Sequence, residues 1–177
     1  MQRREFLNRG LQLGMALALG GASSSSLATI SREQRLKLYN IHTGEHLDAC
    51  LFANGKLRND QLSDLNYLMR DYRNNEQIEI DVALYRQMLK LQQHFGGKPL
   101  EIISGYRSPA TNELLRRQSD GVAKKSLHME GKAVDIHIAG VSTRDLQKAA
   151  LAMGQGGVGY YPKSGFVHID TGRVRSW

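Results

Sequence analysis

Hydrophobic residues recur along this chain at two spacings, and each spacing predicts its own type of element. They alternate with polar residues over 35–41 and 46–52, two segments that flank Thr43-Gly44, and this pattern predicts a β-hairpin. Between 60 and 73 they recur every three or four residues, which predicts a helix.

The rest of the chain continues with both patterns. Three further helices are predicted from N-cap residues that precede hydrophobic runs, and these caps are Asp81, Ser108 and Ser142. Short apolar or alternating segments predict strands at 99–104, 133–138, 158–161 and 166–170, and the last two form a second hairpin. This order predicts a small single α+β domain, with an antiparallel sheet and flanking helices.

The first 28 residues have the features of an export signal. Arg3-Arg4 is followed by Phe6-Leu7, a mildly apolar stretch over 11–22 and a serine-rich patch that ends at Ala28. Paired arginines in this setting predict a twin-arginine signal peptide at 1–28, and therefore a periplasmic protein. Cleavage after Ala28 and retention as an anchor both remain open.

The composition excludes some kinds of metal site and disfavours some kinds of binding partner. Cys50 is the single cysteine of the sequence, so an intramolecular disulfide and a cysteine zinc cluster are excluded, and a metal would need His, Asp or Glu. The formal net charge is +7, but lysines and arginines are scattered and an export signal is present, so we expect no nucleic-acid partner. We expect a monomer, without stable membrane insertion once the signal is removed.

Histidines and aspartates concentrate on the last strands. Apolar alternation over 133–138 places Asp135 and His137 on the face opposite the core, while His128 precedes this strand and Gly131 lets the chain turn between them.

The strand at 166–170 repeats this pattern. Its apolar residues face inward, so His168 and Asp170 share the other face. Two neighbouring strands could therefore gather His128, Asp135 and His168 around a Zn²⁺ ion, whose fourth position would hold the water of a hydrolytic site. His137 and Asp170 are then candidates for a general base or for supporting a ligand.

These motifs resemble those of the zinc D-Ala-D-Ala peptidase group, which includes the VanX-like dipeptidases and shares its fold with the hedgehog signalling domain. The resemblance is closest to the YcbK-like (MepK-type) murein endopeptidases and covers nearly all of the chain after the signal. Two motifs carry it: Ser126-x-His128-x-x-Gly131-x-Ala133-x-Asp135, followed by His168, and Ser104-Gly105-Tyr106-Arg107-Ser108.

The resemblance implies a zinc metallopeptidase domain at 29–177, with His128, Asp135 and His168 as zinc ligands. It implies that Arg107 stabilises the oxyanion near the scissile carbonyl, a role that suits a fixed guanidinium. Ser126 would hold the substrate or the metal loop, and a local turn hydrogen bond is the alternative.

One position departs from the pattern of the VanX-like enzymes. They carry a glutamate three residues before the last zinc histidine, where this chain has Gly165. The general base therefore does not carry over, and Asp170 is the first candidate, with His137 second and Glu130 third.

Other side chains are candidates for substrate contacts. Tyr160 and Tyr161 would line the cleft beside the metal. Lys124 and Lys125 would meet the free carboxylates of peptide stems, or simply lie in a solvated loop.

The expected activity is hydrolysis of peptide cross-links in peptidoglycan by a zinc-dependent murein endopeptidase. The resemblance favours the L,D bond between two meso-diaminopimelate residues, with a D,D-carboxypeptidase or D,D-endopeptidase as the alternative. A non-catalytic, zinc-containing cell-wall binding module is the alternative from another class. The missing glutamate favours the module, whereas Arg107 and Asp170 favour the enzyme.

Overall fold

The structure, a computed structural model, describes residues 33–118 and 121–177. The predicted signal peptide at 1–28 lies outside the described residues. Within those two stretches, no helix has both the length and the apolar character needed to cross a membrane.

Eight strands and four α-helices make up the described chain, and nearly all lie where the hydrophobic pattern predicts them. Two short 3₁₀ turns, Asn59–Gln61 and Leu127–Glu130, supplement them. In chain order the elements are β1 (Glu33–Asn40), β2 (His46–Ala53), β3 (Lys56–Leu57), α1 (Leu62–Leu68), α2 (Val82–His94), β4 (Leu100–Ser104), α3 (Pro109–Gln118), β5 (Ala133–His137), α4 (Thr143–Ala152), β6 (Gly157–Tyr161), β7 (Phe166–Asp170) and β8 (Arg175–Ser176).

The strands form one mixed sheet in the order β3-β2-β1-β4-β5-β7-β6-β8. Both predicted hairpins, β1–β2 and β6–β7, are present, but the expectation of a wholly antiparallel sheet is wrong. The pairs β1–β4 and β6–β8 are parallel. A parallel pair needs a long crossover, and the segment with α1 and α2 supplies it between β1 and β4.

The core lies between the sheet and the helices that pack on it. Helix α2 packs on β1, α1 on β2, and α4 on β6 and β7. Fully buried side chains from both layers meet there, among them Leu36, Tyr85, Ile102 and Ile136. This arrangement confirms the mixed α+β class of a single domain, and it leaves the opposite face of β5 and β7 for polar residues.

Helix α1 is shorter than predicted, because it ends at Leu68 rather than at residue 73. Side chains and a neighbouring loop take up the carbonyls at its end. Asn40 donates to the Leu68 carbonyl over 3.1 Å, and the Tyr106 amide donates to the Met69 carbonyl over 2.8 Å. These bonds compete with the next helical turn, so the chain leaves the helix there.

We predict that Gly156→Ala destabilises the fold much more than Gly154→Ala. Both glycines have positive φ, +68° and +61°, so both substitutions add backbone strain. A Cβ at Gly156 would also collide with the carbonyl oxygen of Asp170, whereas Gly154 faces open space. In urea unfolding we expect a loss of about 1 kcal/mol for Gly154→Ala and about 2–4 kcal/mol for Gly156→Ala. Equal losses would contradict the close approach.

Candidate metal centre and active site

The register between β5 and β7 brings two candidate ligands together. Asp135 and His168 are directly opposite each other in this antiparallel pair. Opposed residues of an antiparallel pair point to the same side and lie within contact distance. His168 Nδ1 is 2.9 Å from Asp135 Oδ1, on the face of the sheet away from the helices.

The 3₁₀ turn before β5 supplies the third candidate, His128. Ser126 caps this turn, and its hydroxyl accepts from the His128 amide over 3.3 Å. His128 Nδ1 donates to the Gly105 carbonyl over 2.8 Å, because a carbonyl can only accept. The lone pair of Nε2 is therefore directed toward Asp135 and His168. Ser126 thus makes the local turn hydrogen bond that was the alternative to a substrate contact.

The spacing of the three ligand atoms fits a metal ion. His128 Nε2 lies 3.2 Å from His168 Nδ1 and 3.3 Å from Asp135 Oδ1. Ligands at tetrahedral corners about 2.05 Å from a zinc ion are separated by about 3.3 Å. All three residues are buried, and within the described parts of the chain they form the one His/Asp/Glu/Cys cluster with metal-binding geometry. They constitute a possible metal site.

Asp170 holds the far side of the His168 ring. Its Oδ2 lies 3.2 Å from His168 Nε2, which donates and leaves Nδ1 for the cluster. The same carboxylate accepts from Arg175 Nη1 and Nη2 over 3.1 and 2.7 Å. The amides of Gly157 and Gly172 donate to its Oδ1 over 2.9 and 2.8 Å. A carboxylate behind a ligating histidine fixes the ring orientation and raises its basicity.

The environment shifts the pKa of each of these groups. Burial lowers the pKa of His128, which favours the neutral, ligating form. Burial alone would raise the pKa of Asp135, but the two histidines hold it well below its usual value. Burial is likewise outweighed at Asp170, whose pKa is lowered by hydrogen bonds from His168, Arg175 and two amides. The pKa of His168 is raised, because hydrogen bonds with Asp135 and Asp170 outweigh the effect of burial.

Arg107 lies directly beside the cluster. Its Nη2 donates to Asp135 Oδ2, so the two oxygens of that carboxylate are divided between Arg107 and the histidines. Its Nε donates to Ser104 over 2.8 Å, and its own amide donates to the His128 carbonyl over 3.2 Å. Gly105 lets this loop approach closely, because a Cβ there would collide with the Met69 carbonyl. The guanidinium is thereby fixed at the candidate metal site.

A cavity of about 390 Å³ opens over the cluster. One wall is aromatic: Tyr161 stacks on Phe166 at 4.6 Å, and the Trp177 indole donates to the Tyr161 hydroxyl over 2.8 Å. Residues 121–123 and 125–127 form part of the lining as well, and they include Lys125 and Ser126. The cavity gives access to the candidate ligands, because His128, Asp135 and His168 are among its lining residues.

Several predicted site residues lie elsewhere. Tyr160 is on the opposite face of β6 from Tyr161 and does not line the cavity. His137 pairs with Glu101 over 3.0 Å, also outside the cavity. Glu130 pairs with Lys132 on the surface.

The preferred candidate for the general base requires a correction. Asp170 is fully buried, and its oxygens already accept five hydrogen bonds. No lone pair therefore reaches the cavity, and the lowered pKa makes this carboxylate a weak proton acceptor. Asp170 lies behind His168 and is not among the residues that line the cavity.

Comparison with known proteins agrees with this geometry. The family model described as "Peptidoglycan L,D-endopeptidase MepK" matches residues 28–177. The chain belongs to this family, Peptidase_M15_2. Group M15 contains the zinc D-Ala-D-Ala peptidases, so the resemblance seen in the motifs is confirmed.

Individual members of the Peptidase_M15_2 family are similar to this chain over almost their whole length. "Peptidoglycan L,D-endopeptidase MepK" of Escherichia coli K12 is 47% identical over 178 residues, which cover 99% of this chain and 96% of that protein. "Probable peptidoglycan L,D-endopeptidase MepK" of Haemophilus influenzae is 41% identical over 179 residues, covering 99% and 95%. Membership of Peptidase_M15_2 makes this chain a metallopeptidase. The M15 peptidases are generally metal-dependent, in agreement with the His-Asp-His cluster.

Two residues of this candidate site were not predicted from the sequence. Arg175 holds Asp170, and Trp177 lies 5.3 Å from the His168 ring, with its indole packed over Gly159. Their spacing of two residues places both on one side of the extended segment that starts with β8, and this alternation is the signal that could have revealed them.

Replacing the carboxylate behind His168 should weaken metal binding. We expect Asp170→Asn to raise the Kd for Zn²⁺ about 10- to 100-fold, the usual effect of losing such a partner. Competition with a chromophoric chelator measures this Kd. Asp48→Asn is the matched control, because Asp48 pairs with Arg35 on the surface of β2.

An unchanged Kd for Asp170→Asn would show that Asp170 does not support the metal site. Urea unfolding of the same protein separates a local effect on the ligand from a general loss of stability.

Proposed function

We propose that this protein is a zinc-dependent endopeptidase that hydrolyses peptide cross-links of peptidoglycan, at the L,D bond between two meso-diaminopimelate residues. The observation that carries the proposal is the buried His128–Asp135–His168 cluster, which lies under a cavity of peptide size with Arg107 beside it. The names of the relatives, peptidoglycan L,D-endopeptidases, support the substrate and the bond.

Each residue of the cluster has a role in this proposal. His128 and His168 would hold the metal through Nε2 and Nδ1, and Asp135 through Oδ1. When bound, Zn²⁺ would polarise the scissile carbonyl and activate a water molecule. Asp170 and the Gly105 carbonyl are positioning groups, since each fixes the ring of one ligating histidine.

Arg107 would stabilise the negative charge that develops on the carbonyl oxygen. A cation that is already in place costs no reorganisation during the reaction, and the Ser104 hydroxyl and Asp135 hold this guanidinium in position. The aromatic wall of Tyr161, Phe166 and Trp177 would cover the aliphatic part of the substrate.

The proposal also includes the export, the cellular location and the oligomeric state of the enzyme. Residues 1–28 would direct export by the twin-arginine pathway, and the domain after them would act in the periplasm as a monomer with a hedgehog-like fold. Peptidoglycan lies in that compartment, so the location and the substrate agree.

The activity is tested on purified sacculi by mass spectrometry of the released muropeptides. We expect the zinc-loaded protein to remove dimers joined between meso-diaminopimelate residues. Chelator should block the reaction and added zinc should restore it. His168→Ala should abolish both zinc binding and cleavage, whereas His94→Ala, an exposed histidine at the end of α2, should leave both unchanged.

Other results would redirect the proposal. Loss of D-alanine-linked dimers instead would indicate a D,D-endopeptidase. Zinc binding and attachment to sacculi with no change in any muropeptide would indicate a binding module.

Arg107→Ala should reduce turnover without weakening metal binding. We expect kcat to fall about 10²- to 10³-fold, the effect of removing one oxyanion donor. Zinc should bind at least as tightly as before, because a positive neighbour of the ligands is removed. Steady-state kinetics and chelator competition on the same protein separate the two effects. A normal kcat, or a large loss of zinc, would contradict the role of Arg107.

A further inference from the structure

Three cationic side chains line the cavity, and they differ in how far they are already engaged. Arg107 is bonded to Asp135 and Ser104, and Arg175 is bonded to Asp170 through two nitrogens. Lys125 is exposed, and no residue within 33–118 or 121–177 pairs with it. Its ammonium is the cation that is available to an incoming ligand.

We propose that Lys125 binds the carboxylate that the substrate carries on the amine side of the scissile bond. This inference rests on the proposed function and adds a specificity residue to it. Lys125 would select peptides whose leaving amine stands on a carbon with a free carboxylate.

The loop that carries Lys125 is held in place on both sides. Asn112 on α3 is buried and donates to the Ala123 carbonyl over 3.1 Å, two residues before Lys125. Ser126 follows directly, and its hydroxyl accepts the His128 amide. The backbone of Lys125 is therefore fixed three residues from a candidate ligand, while its long side chain remains free to reach.

The charges around the cavity favour an anion at this wall. Among the lining residues that the structure describes, Asp135 has the one side-chain carboxylate, and Arg107 is already paired with it. Within 33–118 and 121–177, the lining therefore offers Lys125 no unpaired side-chain acid. Lys124, the preceding residue, is exposed but does not line the cavity.

The chemistry of the proposed substrate places a carboxylate at the required position. In a bond between two diaminopimelate residues, the amide nitrogen is attached to a carbon that also bears a free carboxylate. Three bonds separate that carboxylate carbon from the scissile carbonyl carbon, a distance below about 4 Å. A cation that binds this carboxylate must therefore line the same cavity as the candidate metal ligands, and Lys125 does so.

The experiment compares two synthetic cross-linked peptides with the zinc-loaded protein. One carries the free carboxylate beside the scissile nitrogen, and the other carries a carboxamide there. We expect kcat/KM to be about 10- to 100-fold higher for the carboxylate, the range for a hydrogen bond to a charged group. Because Lys125 is exposed, this preference should decrease as ionic strength rises.

Variants assign the preference to one side chain. Lys125→Ala should lose the preference by slowing only the carboxylate substrate, and Lys125→Arg should keep most of it. Lys124→Ala, the matched control, should behave as the unaltered protein. Calorimetry with the amine-side product peptide should show the same order of affinities.

The results separate this inference from the proposed function. Equal cleavage of both peptides by the unaltered protein, or equal slowing of both by Lys125→Ala, would overturn the role of Lys125 and leave the endopeptidase intact. Cleavage of neither peptide by the unaltered protein would overturn the endopeptidase and the inference with it.

Discussion

The pairing of Asp135 with His168 across β5 and β7 is the constraint on which the whole site depends. Side chains alternate along a strand, so a slip of one residue between β5 and β7 would turn one of these two side chains into the hydrophobic core and turn an apolar neighbour outward. The cost of burying a carboxylate against the core fixes the register. The same alternation places Asp170 behind His168, so one register sets both the ligand cluster and its support.

Asp170 connects this register to the rest of the sheet. Its carboxylate accepts hydrogen bonds from the first residue of β6, from the turn after β7 and from Arg175 in β8. Five donors compensate for the burial of its charge, which would otherwise be strongly unfavourable. The position of His168 is therefore tied to three strands, and the site and the edge of the fold stabilise each other.

The alternation along the two strands predicted that His128, Asp135 and His168 lie together, because their positions depend only on that alternation and on one turn. It could not separate Tyr161 from Tyr160, since Gly159 opposite His168 decides which tyrosine shares the site face. His137 is on the same face of β5 as Asp135. It lies two residues further along the strand, however, where its side chain pairs with Glu101 of β4. The sequence also did not reveal that the hydrogen-bonding capacity of Asp170 is filled, because two of its donors are the backbone amides of Gly157 and Gly172, whose approach depends on the fold. The end of α1 and the two parallel pairs likewise depend on tertiary contacts.

The ion pair between Arg107 and Asp135 has a consequence for the order of assembly. A buried carboxylate without a counter-charge would oppose folding, and a metal ion would then have to be present while the chain folds. Here the protein supplies its own positive charge to one oxygen of Asp135 and leaves the other for the histidines. The neutralisation of Asp135 therefore does not require a bound metal ion, so this buried charge does not by itself make folding depend on metal binding.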